Sequence, residues 1–152
     1  MVLSTLCYIK KEDKTLMLHR IKKEKDIHEG KWNGLGGKLE QGETPEECVI
    51  REVYEESGLT VRNPLLRGIL TFPLFDGVAD EYTFLFTVTD FEGELIDSDE
   101  GRLEWIENSR ILELNLWEGD SIFLKWLEED KFFSGKFIYK NGKLMDHGVV
   151  FY

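Results

Sequence analysis

Cysteine, histidine and proline are all scarce in this chain of 152 residues, which has two cysteines, three histidines and three prolines. Cys7 and Cys48 are isolated and show no paired spacing, so we expect reduced thiols and no disulfide framework. His19, His28 and His147 show no zinc-type spacing, and we expect ordinary surface or loop histidines at these positions. The sequence also shows no Ser, Cys or His arrangement typical of a nucleophilic enzyme.

Long apolar runs are missing as well. No run approaches the roughly 18 residues that are needed to span a membrane, so no membrane association is expected. Residues 2–9 are apolar, but they lack a preceding basic region and lead into Lys10 and Lys11, which predicts a strand and not a signal peptide. Since 41% of the residues are hydrophobic, we expect residues 1–152 to form one domain with its own core. The isolated cysteines, expected as reduced thiols, favour a location in the cytoplasm.

Positive charge is in deficit, because 19 Lys and Arg residues stand against 30 Asp and Glu residues, for a formal net charge of −11. A protein that grips a nucleic-acid polymer normally carries a basic stripe. The only dense basic cluster here is Lys22, Lys23 and Lys25, and acidic residues interrupt it. A nucleic-acid polymer is therefore not an expected partner. An acidic protein that acts on a small polyanion needs cations at its site to neutralise both partners.

The most informative segment is 37–59, which reads GKLEQGETPEECVIREVYEESGL. Thr44 is a typical N-cap residue, Pro45 suits the first helical position, and Glu47 completes a capping box. Gly58 stands where a helix commonly ends in a left-handed residue. These signals predict a helix that begins after Thr44 and ends before Gly58.

The predicted helix has two adjoining faces. At about 100° per residue, one arc is apolar and contains Val49, Ile50 and Val53. The next arc contains Glu52, Glu55 and Glu56, so the three carboxylates converge beside the buried stripe. Like charges at this spacing repel each other, and a hard divalent cation with oxygen ligands would offset the repulsion. The alternative interpretation is a solvated acidic helix face.

This segment resembles the Nudix box at each of its fixed positions, which are Gly37, Glu43, Arg51, Glu52, Val53, Glu55, Glu56, Gly58 and Leu59. The flanking segments 31–38, 97–100, 116–121 and 130–137 are similar to the MutT-type branch of that superfamily. This branch includes the bacterial MutX-like 8-oxo-dGTP diphosphatases and their eukaryotic homologues. The resemblance implies a Nudix fold and the hydrolysis of 8-oxo-dGTP to the monophosphate and pyrophosphate, in sanitation of the nucleotide pool.

The resemblance also implies a set of residues that bind metal or activate water, namely Gly37, Glu52, Glu55, Glu56 and Glu100. Gly37 would contribute its backbone carbonyl, and Glu100 would come from a distant loop. Arg51 and Glu43 are implied as an ion pair that orients the carboxylates. The implied cofactor is Mg²⁺ or Mn²⁺.

Base recognition is implied by matches outside the box. The eukaryotic homologues read the base with a tryptophan, an asparagine and two adjacent aspartates. Trp117, Asn33 and Asp120 match three of these, whereas Gly119 stands in place of the first aspartate, which suggests a narrower range of purines. A core aromatic is the alternative for Trp117. Lys23 is a candidate phosphate contact, with a solvated loop lysine as its alternative.

The pattern of the whole chain predicts an α+β fold in which a mixed β-sheet system is sandwiched between α-helices. Besides the box helix, a helix is expected at 121–129. Strands are expected at 2–9 and 15–21, within 59–90, and at 103–106, 137–140 and 143–152. The Asn141-Gly142 pair is typical of a two-residue hairpin turn.

The sequence is also compatible with two alternatives to 8-oxo-dGTP hydrolysis. The first is a Nudix enzyme that acts on ADP-ribose, a dinucleoside polyphosphate or an ordinary dNTP. The second is a Nudix fold that senses a nucleotide without cleaving it, which degenerate glutamates would indicate, and all of the glutamates are intact here. In each case the expected partner is a small nucleotide, bound by a monomer or weak dimer.

Overall fold

An eight-stranded mixed β-sheet forms the centre of the computed structural model, which describes residues 1–22 and 26–152. In chain order the strands are β1 (Val2–Lys11), β2 (Lys14–His19), β3 (Trp32–Asn33), β4 (Thr60–Arg62), β5 (Leu65–Phe72), β6 (Glu81–Val88), β7 (Asp90–Glu92), β8 (Arg102–Glu107), β9 (Phe133–Lys140) and β10 (Lys143–Phe151). The helices are α1 (Pro45–Ser57), α2 (Glu118–Trp126) and a 3₁₀ helix at Asn108–Glu113. Within the described residues, neither α-helix has the length and apolarity that a bilayer crossing requires.

Parallel and antiparallel pairs are mixed in the sheet. Its order is β10-β9-β5-β6-β1-β2-β3, and β8 also pairs with β2. The pairs β1–β6 and β5–β9 are parallel, whereas β1–β2, β5–β6 and β9–β10 are antiparallel. Strands β4 and β7 form a separate two-stranded sheet.

The two α-helices cover opposite faces of the main sheet. Side chains of β1 alternate between the faces, as they must in a strand. Cys7 and Ile9 belong to the core that includes Val53 of α1, whereas Tyr8 between them belongs to the core that includes Phe123 of α2. The α+β sandwich expected from the sequence is thereby confirmed.

Helix α1 begins and ends where its capping signals predict. The Thr44 hydroxyl accepts a hydrogen bond from the Glu47 N–H at 3.1 Å, and the Glu47 carboxylate accepts one from the Thr44 N–H at 2.9 Å. Gly58 has a φ of 81°, a left-handed conformation that favours glycine. Local side-chain chemistry therefore determines both ends of this helix.

Two elements begin earlier than the sequence pattern predicts. Helix α2 begins at Glu118 and not at residue 121. The sequence pattern misses its first turn because that turn lacks the apolar repeat of the later turns and contributes Asp120 to a cavity. Strand β9 begins at Phe133 and not at residue 137, because Phe133 pairs with Gly68 of the distant strand β5. Gly135 looks like a turn residue, but a Cβ there would lie 2.7 Å from the Trp126 ring, so close packing explains it.

Candidate active site

A cavity of about 380 Å³ brings together residues that are far apart in the chain. Its lining contains two groups of residues with different chemistry. The acidic group consists of Gly37, Glu52, Glu56 and Glu100. The aromatic group consists of His28, Asn33, Phe75, Trp117, Asp120 and Tyr139. The cavity therefore combines a cluster of carboxylates with an aromatic wall that carries a few polar atoms.

Arg51 holds one carboxylate of the acidic group and two neighbouring carboxylates in place. Its Nε and Nη2 donate to the two oxygens of Glu43 at 2.7 and 2.9 Å, a bidentate pair that lowers the pKa of Glu43 to about 2. Its Nη1 donates to Glu52 at 2.8 Å and to Glu55 at 3.2 Å. One guanidinium therefore orients three carboxylates, as its planar fork allows.

The glycines that precede α1 allow two carboxylates to approach the backbone. A Cβ at Gly37 would lie 2.4 Å from the carboxyl carbon of Glu52, so any side chain there would displace that carboxylate. The Gly36 N–H donates to Glu56 at 2.8 Å. Glu56 is only 7% exposed, and burial, followed by the charges of Glu52 and Glu100, raises its pKa to about 8.

These residues suit a hard divalent cation by their chemistry. Glu52, Glu56 and Glu100 line one cavity with the Gly37 backbone, and oxygen is the donor that Mg²⁺ and Mn²⁺ prefer. Arg20 Nη2 lies 3.5 Å from Glu100 and offsets part of the mutual repulsion of these carboxylates, and a bound cation would offset more of it. In residues 1–22 and 26–152, however, no three His, Cys, Asp or Glu side chains stand ready to hold a metal ion. Glu52 accepts a hydrogen bond from Arg51, and Glu56 accepts one from the Gly36 N–H, so the protein itself already binds one oxygen of each of these two carboxylates.

Glu55 lies apart from the other predicted ligands. Its side chain is 55% exposed, and it is not among the residues that line the cavity. Its contact with the acidic group is indirect, through Arg51. The structure thus brings Gly37, Glu52, Glu56 and Glu100 together and leaves Glu55 outside the cavity lining.

Trp117 forms part of the cavity wall although it is only 9% exposed. Its ring contacts Phe75 and Tyr139 edge-on, with centroids 5.1 and 5.5 Å apart. Its indole N–H donates to Nδ1 of His28 at 2.9 Å. Lys31 Nζ lies 5.1 Å from the ring centroid. These four contacts together hold the Trp117 ring in a fixed position.

Asn33 and Asp120 present polar atoms to the cavity without protein partners. Oδ1 of Asn33 is buried and has no hydrogen-bond partner in the described residues. Asp120 is 7% exposed, and its carboxylate likewise makes no hydrogen bond within that part of the chain. Burial raises the pKa of Asp120 to about 7, with Lys31 acting in the opposite direction. Buried groups of this kind are costly unless a ligand pairs with them.

Sequence reasoning did not single out His28, Phe75 and Tyr139 as cavity residues. His28 lies in a turn, as expected of a loop histidine, but it also lines the cavity and orients Trp117. Burial lowers the pKa of His28, which favours the neutral ring that its acceptor nitrogen requires. No local signal identifies these residues, because three separate segments supply them. The predicted phosphate contact Lys23 lies outside the described residues.

Comparisons with known proteins agree with this architecture. The family model described as NUDIX domain matches residues 2–127. The chain is 34% identical over 127 residues to YvcI, an uncharacterized Nudix hydrolase of Bacillus subtilis, covering 81% of this chain and 77% of the relative. It is 34% identical over 128 residues to the oxidized purine nucleoside triphosphate hydrolase of Danio rerio, covering 84% and 79%. The crystal structure of the mutator MutT protein from Bacillus halodurans matches with a TM-score of 0.88 at 35% identity, covering 98% of this chain and 97% of that one.

Proposed function

Because this chain belongs to the Nudix family and is a Nudix hydrolase, we propose that it converts 8-oxo-dGTP into 8-oxo-dGMP and pyrophosphate, with the help of a divalent metal ion. Such an activity would remove oxidised purine nucleotides from the nucleotide pool. One observation carries the proposal. A single cavity contains a cluster of carboxylates and, beside Trp117, the buried side chain of Asp120 and the buried, unpaired Oδ1 of Asn33. The name of the relative from Danio rerio supports the same substrate class.

In this proposal the acidic group binds the triphosphate end of the substrate through a metal ion. Glu52, Glu56, Glu100 and the Gly37 carbonyl would hold Mg²⁺ or Mn²⁺. When bound, such an ion acts as a Lewis acid and lowers the pKa of a bound water. The carboxylates orient the attacking water and accept its proton, while Arg51 keeps Glu52 from turning away. Glu55 remains a predicted ligand that would have to move inward from its exposed position.

The aromatic group would recognise the oxidised base. Oxidation changes N7 of guanine from an acceptor into an N–H donor, so a protein acceptor that faces N7 pairs with the lesion and repels the normal base. Asp120 and Oδ1 of Asn33 are acceptors of this kind, and Trp117 offers a ring for stacking. A polar group left unpaired costs about 1–3 kcal/mol, which corresponds to roughly 5- to 150-fold in preference from one contact.

Further properties belong to the same proposal. We propose that residues 1–152 act as one domain, as a monomer or weak dimer in the cytoplasm. Lys23 would contact a phosphate of the substrate. A nucleic-acid polymer is not expected as a substrate, which the net charge of −11 supports.

Identification of the products tests the proposed reaction. After incubation with 8-oxo-dGTP and Mg²⁺, ion-exchange chromatography and phosphorus NMR should show 8-oxo-dGMP and pyrophosphate. Nucleoside diphosphate and orthophosphate as the sole products would overturn the proposed position of cleavage. Full activity in excess chelator would overturn the requirement for a metal ion.

A further inference from the structure

Tyr139 occupies the space into which any side chain at position 119 would project. The Gly119 N–H donates to the Tyr139 hydroxyl oxygen at 2.6 Å. A Cβ at Gly119 would lie 2.7 Å from that oxygen and 2.8 Å from Cδ1 of Phe137. A side chain at position 119 and the Tyr139 hydroxyl therefore exclude each other.

The Tyr139 hydroxyl also supplies a cap that helix α2 otherwise lacks. Trp117 is the N-cap residue of α2, and its side chain makes no capping hydrogen bond. The first N–H groups of a helix have no i−4 partner, and here the Asp120 N–H donates to the Trp117 carbonyl at 3.0 Å instead. The hydroxyl oxygen of Tyr139 satisfies one of them, that of Gly119. This bond therefore occupies one acceptor position of the hydroxyl oxygen.

The proton of the same hydroxyl remains available to a ligand. Within the described residues, Tyr139 donates it to no protein acceptor, and Tyr139 lines the cavity next to Asp120. Phe75 and Trp117 hold the Tyr139 ring edge-on, with centroids 5.2 and 5.5 Å away. Burial raises the pKa of Tyr139, as do the negative charges of Asp120 and Glu118, so the hydroxyl stays protonated at neutral pH.

We propose that the Tyr139 hydroxyl is a specificity-determining donor that selects purines with an oxygen at C6 over purines with an amino group at C6. An oxidised guanine edge presents an N–H at N7, an acceptor at O6 and an N–H at N1. The cavity offers the complementary set, because Asp120 and Oδ1 of Asn33 accept and Tyr139 donates. This inference rests on the proposed function and names the group that reads C6.

An amino group at C6 would pair poorly with this tyrosine. Both partners would then present hydrogens, and the hydroxyl oxygen already accepts from Gly119. A carboxylate side chain at position 119 could accept from an amino group, but Tyr139 leaves no room for one. The Gly119–Tyr139 pair therefore predicts that oxidised adenine nucleotides are poor substrates.

The test compares two triphosphates, 8-oxo-dITP and 8-oxo-dATP, which differ at C6 and in the proton on N1. The wild-type protein should show a higher kcat/KM for 8-oxo-dITP. In Tyr139→Phe the ratio of the two values should fall roughly tenfold, the effect of one neutral hydrogen bond whose loss leaves a partner unpaired. Tyr152→Phe is the matched control, since Tyr152 is 76% exposed and lies outside the cavity lining, and it should keep the wild-type ratio.

A second variant and a second measurement separate recognition from a structural effect. Gly119→Ala places a methyl group against the hydroxyl and should lower the ratio in the same way. Loss of the helix cap alone would reduce both kcat/KM values equally and leave their ratio unchanged. The dissociation constants of 8-oxo-dIMP and 8-oxo-dAMP, measured by tryptophan fluorescence in chelator, should show the same change in preference without any turnover.

The outcomes distinguish this inference from the proposed function. An unchanged ratio in both variants, with wild-type hydrolysis of 8-oxo purine triphosphates intact, would overturn the role of Tyr139 alone. A wild-type protein that neither binds nor cleaves any 8-oxo purine nucleotide would overturn the proposed function and this inference together.

Discussion

The acidic and aromatic groups of the cavity differ in how their polar atoms are satisfied by the protein itself. Glu52 is hydrogen-bonded to Arg51, and Glu56 accepts from the Gly36 N–H. Oδ1 of Asn33 has no partner in the described residues, and Asp120 is buried without one there. The acidic group is therefore positioned by internal bonds, whereas the aromatic group is completed by its ligand. Rate should depend on the first group and discrimination between bases on the second.

The largest effect is expected from a substitution in the acidic group. Glu56→Gln keeps the size of the side chain but removes one charge from the carboxylate cluster. If the loss resembles other losses of transition-state charge stabilisation, kcat should fall by about 10²–10³, or about 2.7–4 kcal/mol. Glu46→Gln, at an exposed position of the same helix, is the control and should keep the wild-type kcat. Near-normal turnover of Glu56→Gln at saturating Mg²⁺ would show that the metal ligands are wrongly assigned.

The same substitution should stabilise the metal-free protein, in a pH-dependent way. The pKa of Glu56 is about 8 in the folded protein against an ordinary value of 4.5. A carboxyl group with a raised pKa costs nothing below its unfolded pKa, and its cost grows as pH rises towards the folded pKa. In chelator, Glu56→Gln should therefore match the wild type near pH 4.5 and exceed it near pH 8 by on the order of 3 kcal/mol, several degrees in Tm. An equal difference in Tm at both pH values would contradict this origin.

A smaller effect is expected from a substitution in the aromatic group. It should change the discrimination between bases and not the rate. Asp120→Asn exchanges one acceptor oxygen for an N–H donor at a buried position. The preference for 8-oxo-dGTP over dGTP should fall by roughly 5- to 150-fold, because one contact with N7 is lost. Asp130→Asn, at an exposed position after α2, should leave the preference unchanged. An unaltered preference in Asp120→Asn would assign the reading of N7 to Asn33 or to another group.

The same contrast explains how much of the site the sequence could predict. The capping residues Thr44 and Gly58 and the Arg51–Glu43 pair lie close together in the chain, so local patterns are sufficient to find them. His28 and Tyr139 come from a loop and a distant strand that only the folded sheet brings to one cavity. No periodicity in one segment contains that information.

Helix periodicity predicts the direction in which a side chain points, but it does not predict how deeply that side chain is buried. Glu55 and Glu56 fall in the same predicted arc, but Glu56 is buried against the Gly36 backbone, whereas Glu55 is largely in solvent. The burial of a helix side chain depends on the position of the sheet and of the glycine loop relative to the helix. The early start of β9 has a similar cause, since its first residues are ordered by pairing with β5.

The central claim is that this cavity distinguishes an oxidised purine from its normal form. The most direct measurement is kcat/KM of the wild-type protein for 8-oxo-dGTP and for dGTP, on one preparation and at one Mg²⁺ concentration, with ADP-ribose as the competing substrate. The predicted result is a preference for 8-oxo-dGTP of roughly 5- to 150-fold from the contact with N7. A ratio near one, or faster cleavage of ADP-ribose than of either triphosphate, would contradict the claim.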